Sequence, residues 1–349
     1  MIRTAICSYG YSTKIFHVPY IAMLPEYFEI AAFVERHGNE SKKAYPNVAV
    51  YRSCEELFAD DSVDLVIINT PSPSHYSYAL AALHANKHVV IDKPFTATVK
   101  EAETLIELAT KKNLVLTVFH NRRWEGELIA LKKIIDIGLL GKLIDGEFRF
   151  ERYKTAPNPK SHKEEPLPGN GLIYELCTHL IDQAIFLFGM PDAVFADICK
   201  QRPFSKIDDY CSLILYYGSR FKLSIKSSLL VAHQGPSYII NGHTGSFVKY
   251  RANIQEERLS AGMLPSDPDF AVENADTAAT LTVLQNDGSL KTEKYHSPAI
   301  SYTGFYRQLG EALQGKDSIP VEPLDALKGI KIIEAAYKSV VERKVIEIK

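Results

Sequence analysis

The 349 residues predict two domains, an α/β unit followed by an α+β unit. Residues 1–122 read as a doubly wound parallel sheet, and 123–349 as an open-faced antiparallel sheet with helices on one face. Three observations carry this reading. Six short apolar runs alternate with helical stretches in the first third of the chain, as parallel strands with crossover helices do. Beyond a long stretch rich in Pro and charge, the hydrophobic period shifts to two, the mark of strands buried on one side. Between the two regimes lies the segment 171–189, which has neither Lys nor Arg and is apolar around most of its helical circumference, so it belongs inside a core.

Residues 2–6 form an apolar strand that runs into Cys7-Ser8-Tyr9-Gly10-Tyr11-Ser12-Thr13 and then a helix over 14–24. Strand, tight turn and helix frame a dinucleotide-binding unit. Ser8, Gly10 and Thr13 hold the three glycine positions of the GxGxxG fingerprint. Gly10 is where the backbone must approach a pyrophosphate, and Ser8 and Thr13 are small enough for the turn and for helix–strand contact. Further strands fall at 28–34, 48–51, 64–69, 88–91 and 114–119, with helices at 74–86 and from Thr98 to about residue 112. Ser53 with Glu56, and Thr98 with Glu101, have the capping-box spacing. The ligand of such a sheet lies beyond the carboxyl ends of its strands, and there Gly10, Glu35, Thr70, Lys93 and Asn121 collect. Glu35, about 20 residues past the turn, suits the ribose hydroxyls of NAD. Arg36 beside it can pair with the 2′-phosphate of NADP, so both cofactors stay open. His17 and His75 read as capping or surface residues near the cofactor edge.

In the second half, a helix at 125–137 leads to an extended stretch at 143–152 and a period-free loop at 154–170. Loops of that length are commonly functional. Strands follow the helix 171–189 at 193–199, 209–217, 220–229, 237–241, 246–250, 278–285 and 290–295, with Gly218-Ser219 as a two-residue hairpin turn. Helices at 302–314 and 324–343 close the chain. Within 171–189 a polar stripe interrupts the apolar surface. Glu175 and His179 are four apart and share a face. A buried carboxylate beside an imidazole needs a partner or a wet cavity. No third ligand and no HExxH accompany the pair, so no metal is expected.

A net charge of −2 without a basic run excludes nucleic acid and anionic membrane as expected partners. The five cysteines are scattered and suggest neither a disulfide frame nor zinc. The start of the chain does not read as a signal peptide and no run is long enough to span a bilayer, so a cytoplasmic location is expected.

Asp92-Lys93-Pro94, Tyr174-Glu175-Leu176-Cys177-Thr178-His179-Leu180-Ile181-Asp182-Gln183, Phe119-His120-Asn121-Arg122-Arg123-Trp124 and Lys14-x-Phe16-His17-x-Pro19 together resemble the Gfo/Idh/MocA family (glucose–fructose oxidoreductase, inositol dehydrogenase, MocA). The last two marks resemble its branch of NADP-dependent scyllo-inositol dehydrogenases. The resemblance covers nearly the whole chain and departs at Ser8, Thr13, Asp92 and Glu175, where the family usually has Gly, Gly, Glu and Asp. It implies a Rossmann domain and an NAD(P)-dependent oxidoreductase acting on a CH–OH group of a sugar, polyol or cyclitol. It implies cofactor contacts from Ser8, Gly10, Tyr11, Ser12, Thr13, Glu35, Arg36, Thr70, Pro71, His75, Asp92, Lys93 and Asn121. Lys93 would meet the reacting oxygen, His179 would be the general acid/base and Glu175 would orient it. Arg152, Tyr153 and Asn170 join Lys93, Glu175 and His179 as candidate substrate contacts. A homodimer or homotetramer through the free face of the second sheet is implied as well. A non-catalytic dinucleotide-sensing regulator and an NAD-dependent glycoside hydrolase are the rival readings.

Overall fold

A computed structural model describes residues 1–348; Lys349, the last residue of the predicted second domain, lies outside the described residues. The chain forms two compact units, each discontinuous in sequence. Met1–Asn121, Gln255–Phe270 and Ser301–Leu327 make the first, and Arg122–Ile254, Ala271–Ile300 and Lys328–Lys349 the second.

The first unit contains a six-stranded sheet of β1 (Ile2–Ile6), β2 (Phe28–Val34), β3 (Ala49–Tyr51), β4 (Leu65–Ile68), β5 (His88–Asp92) and β6 (Leu116–Phe119), in the order β3-β2-β1-β4-β5-β6. Every pair is parallel. Leu65, Val66, Ile67 and Ile68 are all fully buried, as expected of a strand covered on both faces. Val99–Lys112 starts at the predicted capping box: the Thr98 hydroxyl accepts from Glu101 N, and the Glu101 carboxylate accepts from Thr98 N. After the first turn, the expected helix begins with a π-helical stretch, Thr13–His17, and continues only as Val18–Ile21. Apolar spacing alone does not distinguish these windings.

The second unit holds β7 (Leu143–Glu151), β8 (Ala193–Cys199), β9 (Tyr210–Tyr217), β10 (Phe221–Ser228), β11 (Tyr238–Gly242), β12 (Gly245–Lys249), β13 (Ala279–Leu284), β14 (Leu290–Tyr295) and β15 (Ile346–Glu347). Their order is β14-β13-β12-β11-β7-β10-β9-β8-β15. The sheet is antiparallel except at its centre, where β7 and β10 run parallel. A parallel pair needs a long crossover, and here the connection between the two strands carries the loop, the segment 171–189, β8 and β9. Phe221, Leu223 and Ile225 are buried while Lys222 is exposed, so β10 has one core face. The helix Thr178–Phe188 packs against β7 and β10. The β9–β10 connection has three residues rather than the predicted two, because Tyr217 pairs with Phe221. Gly218 there takes a positive φ of 60°, and its N–H donates to the Asp192 carboxylate at 2.6 Å. The short helices Glu40–Ala44 and Ile254–Ser260 and the strand β15 were not predicted.

Candidate active site

In the first unit, the turn after β1 is closed by hydroxyls where the fingerprint has glycines. Thr13 is fully buried; its hydroxyl donates to Ser8 O at 2.8 Å and accepts from Asn69 Nδ2 at 2.8 Å. Ser8 Oγ lies 3.2 Å from the same oxygen. Gly10 is different. A methyl group placed there would approach nothing nearer than Ser8 Oγ, at 4.0 Å. The fold itself does not require glycine at this position, and glycine is the residue that would let a diphosphate come close to the backbone. The turn therefore fits the pyrophosphate of a dinucleotide. Gly10→Ala is expected to leave the melting temperature unchanged and to weaken dinucleotide binding by about tenfold or more, roughly 1.4 kcal/mol. A fluorescence titration with NADPH and a melting curve check both halves of that expectation.

Glu35 is 8% exposed and commits its carboxylate to the next helix. Oε2 accepts from Glu40 N at 2.8 Å, and Oε1 accepts from Ser41 N at 2.8 Å and from the Ser41 hydroxyl. Burial pushes this carboxyl up, but the hydrogen bonds from Ser41 and Glu40 outweigh it and hold the group below the usual range. Arg36 beside it is exposed. Arg52 holds the loop between them and the helix, donating to Glu35 O, Gly38 O and Asn39 Oδ1.

At the ends of β4 and β5, His75 is a buried brace. Its Nδ1 lies 2.8 Å from Pro94 O and its Nε2 2.9 Å from Thr70 O. Burial lowers its pKa against the opposing pull of the two carbonyls, each of which can only accept. Thr70 Oγ1 pairs with Ser74 Oγ at 2.8 Å, and Pro71 is exposed. Asp92 turns inward to Ser12, whose hydroxyl donates to Oδ2 at 2.8 Å, and to His17, whose Nε2 is 3.1 Å from Oδ1. Lys93 follows directly, half-buried, and Asn121 is buried beyond the end of β6. Tyr11 is half-exposed and its hydroxyl donates to Glu256 at 3.4 Å.

In the second unit the segment 171–189 is two windings, a π-helical stretch Ile173–Cys177 and the helix Thr178–Phe188. π turns occur frequently at functional sites, and here both of them fall on segments that the sequence singled out. Glu175 is on the π stretch, its side chain about one-third exposed, and its Oε1 accepts from Lys163 Nζ at 2.9 Å. Lys163 comes from the period-free loop and had no local signal in the sequence. The loop is held by Arg202, which is buried between Asp209 (2.9 Å) and Glu164 (3.1 Å). Asn170 holds it too, donating to His162 O at 2.7 Å and Glu165 O at 3.0 Å.

His179 is 6% exposed, with its ring 6.3 Å from that of Phe150. Around Phe150 stand the guanidinium groups of Arg251 (4.2 Å), Arg122 (4.7 Å) and Arg152 (5.2 Å). Arg152 and His179 thus share a neighbour, whereas Tyr153 is largely exposed and bridges to Leu230. Arg251 lies between Glu125 (3.6 Å) and Glu127 (3.5 Å). Burial and the Glu125 charge push Glu127 up to about 7, against the pull of Arg251. Asp182 is taken by Arg123 in a bidentate pair, with Nη2 to Oδ1 at 2.7 Å and Nε to Oδ2 at 3.0 Å.

Residues 2–120 match the description "Oxidoreductase family, NAD-binding Rossmann fold", and 132–348 match "Oxidoreductase family, C-terminal alpha/beta domain". The chain belongs to the Gfo/Idh/MocA family of oxidoreductases. It is 35% identical to the scyllo-inositol 2-dehydrogenase (NADP(+)) IolW of Bacillus subtilis, over 100% of this chain and 96% of that protein. An uncharacterized oxidoreductase of Schizosaccharomyces pombe is 37% identical over 97% of both chains. Among solved structures, the oxidoreductase YvaA of Bacillus subtilis superposes with a TM-score of 0.95 at 34% identity, covering 100% of this chain and 98% of that one. An oxidoreductase of Bacteroides fragilis gives 0.89 at 39% identity over 100% of both. No helix among the described residues is long and apolar enough to cross a membrane.

Proposed function

We propose that this protein is an NADP-preferring dehydrogenase that transfers hydride between the nicotinamide and a secondary carbinol of a cyclitol or related polyol. The observation that carries the proposal is Asp92: it ties the carboxyl end of β5 to Ser12 of the dinucleotide turn, so Lys93 begins beside the turn that would hold the cofactor. Ser8, Gly10, Ser12 and Thr13 would cradle the pyrophosphate. Bound nicotinamide supplies the hydride acceptor or donor. Lys93 would place its ammonium at the reacting oxygen and stabilise negative charge as it develops. His179 would take the hydroxyl proton, since imidazole titrates near neutral pH. Glu175 would orient that ring with one oxygen while Lys163 holds the other.

The preference for NADP follows from the residues at the end of β2. An acid free to accept from the ribose hydroxyls favours NAD and repels a 2′-phosphate. Glu35 has both oxygens engaged by residues 40 and 41, and exposed Arg36 is left to pair with the phosphate. The scyllo-inositol dehydrogenase relative, named for NADP, supports both halves of the proposal. The test is oxidation of scyllo-inositol followed by formation of reduced cofactor. NADP should exceed NAD in kcat/KM by about tenfold or more, and Arg36→Glu should erase the difference, on the order of one charge-assisted hydrogen-bonded pair. Equal or better use of NAD by the wild type refutes the cofactor assignment. Failure with every inositol and related polyol tried, or turnover of aldoses or 1,5-anhydro sugars alone, refutes the substrate class.

A further inference from the structure

We propose that His17 is a positioning residue for hydride transfer: it holds Asp92 and thereby sets the backbone from which Lys93 reaches the reacting oxygen. The proposal rests on the role given to Lys93 above.

His17 sits on the π-helical stretch Thr13–His17 and is fully buried, in contrast to the capping or surface place expected from the sequence. Its ring lies between Phe119, with centroids 4.7 Å apart, and Tyr306. Nδ1 faces the Tyr306 hydroxyl, and Nε2 is 3.1 Å from Asp92 Oδ1 and 3.2 Å from Ser12 Oγ. The two oxygens of Asp92 are therefore divided between Ser12 and His17. An ionised carboxylate only accepts, so Nε2 must carry the proton that points at Asp92. Burial pushes the Asp92 carboxyl up, but the neighbouring His17 and Ser12 outweigh it and keep the group below the usual carboxylate range.

The consequence for Lys93 is geometric. Aspartate has a single methylene between Cα and its carboxylate, so fixing that carboxylate at two points leaves the Cα little freedom. The next peptide carries Lys93. A lysine stem is long and flexible, and its ammonium meets a reacting atom reproducibly only if the base of the stem is fixed. A misplacement of about 1 Å is enough to cost on the order of a hundredfold in rate. His17 acts on Lys93 through Asp92.

The two nitrogens of the ring give the test its resolution. Glutamine places an amide nitrogen near the position of Nε2, and asparagine near that of Nδ1. With scyllo-inositol and NADP as probes, His17→Gln should keep kcat within about fivefold of wild type, whereas His17→Asn and His17→Phe should lose about thirtyfold or more, the scale of a small misplacement. NADPH affinity, read by fluorescence in the same variants, should stay within about threefold, and melting curves should show all of them folded. Equal kcat for the Gln and Asn variants, high or low, overturns the proposal. A second readout needs neither substrate nor cofactor: the imidazole 15N spectrum of the apoprotein at neutral pH should show His17 protonated at Nε2, and an unprotonated Nε2 overturns the proposal as well. Lys93→Met separates this from the parent reading. If that variant is fully active, the role of Lys93 fails; if it is inactive while the His17 variants all match wild type, only the positioning role fails.

Discussion

Replacing Lys93 by methionine is expected to lower kcat by about two to three orders of magnitude while the dissociation constant for NADPH changes by no more than about threefold. Methionine keeps the length and much of the apolar stem but not the charge. The ammonium matters most where the carbinol oxygen becomes an alkoxide, which happens in the transition state and not in the bound ground state. The loss should therefore fall on kcat and kcat/KM together. Asp92, its contacts with Ser12 and His17, and the hydroxyl clasp of the turn remain intact in the variant, so cofactor affinity has no cause to collapse. A methionine variant turning over at nearly the wild-type rate would falsify the catalytic assignment and return Lys93 to the ordinary population of solvated lysines.

The second large effect concerns stability. Lys249 ends β12 with its side chain fully buried, and its Nζ donates to Glu273 Oε2 at 2.5 Å and to Thr277 O. The other oxygen of Glu273 accepts from Ser297 N at 2.5 Å. One ion pair thus joins the end of a core strand to two separate stretches of irregular chain. Lys249→Met should cost about 3–5 kcal/mol, because it leaves Glu273 charged, desolvated and without its cation. The double variant Lys249→Met/Glu273→Leu should recover most of that loss, since a buried pair exchanged for apolar groups of similar volume is often close to neutral. Chemical denaturation of the two single variants and the double variant measures this directly. A cost below about 1 kcal/mol for Lys249→Met would mean that water reaches Glu273 and the pair behaves as a surface bridge. The pH dependence has a definite sign. Burial raises the Glu273 carboxyl, but Lys249 and Ser297 outweigh it and hold it below its usual range. Its contribution is complete above the unfolded-state pKa and is lost as pH falls through the folded-state value.

What could be read in advance follows the range of the interactions involved. The strands of the first unit were visible because burial on both faces demands an unbroken apolar run, as in Leu65–Ile68. β10 was visible because Phe221, Leu223 and Ile225 alternate with polar neighbours. Direction was not visible: nothing in the side chains of β7 and β10 says that they run parallel, because that depends on the path between them. Glu35 shows a different ambiguity. An acid at the end of β2 suits a ribose and suits a nearby helix N-terminus equally well, and the deciding partners, residues 40 and 41, have no distinctive pattern. Lys163 lies in a loop without period, and only the folded arrangement of Arg202, Asp209 and Glu164 brings it to Glu175. His17 was legible as part of a motif, but its partners are distant in sequence: Asp92 and Tyr306.

The discontinuity of the first unit bears on how the protein is made. Its sheet is complete by residue 119, yet the Thr117 hydroxyl donates to Val321 O and His17 meets Tyr306, both in the segment that returns near the end of the chain. A chain emerging from the ribosome has all six strands long before it has these partners. Closing the unit waits until residues 301–327 have been made, and contacts across so long a stretch form late and slowly. During that interval the nascent protein exposes apolar surface, Phe119 and Phe28 among it, that Phe305 and Tyr306 will later cover, and such surface is where incomplete folds associate wrongly.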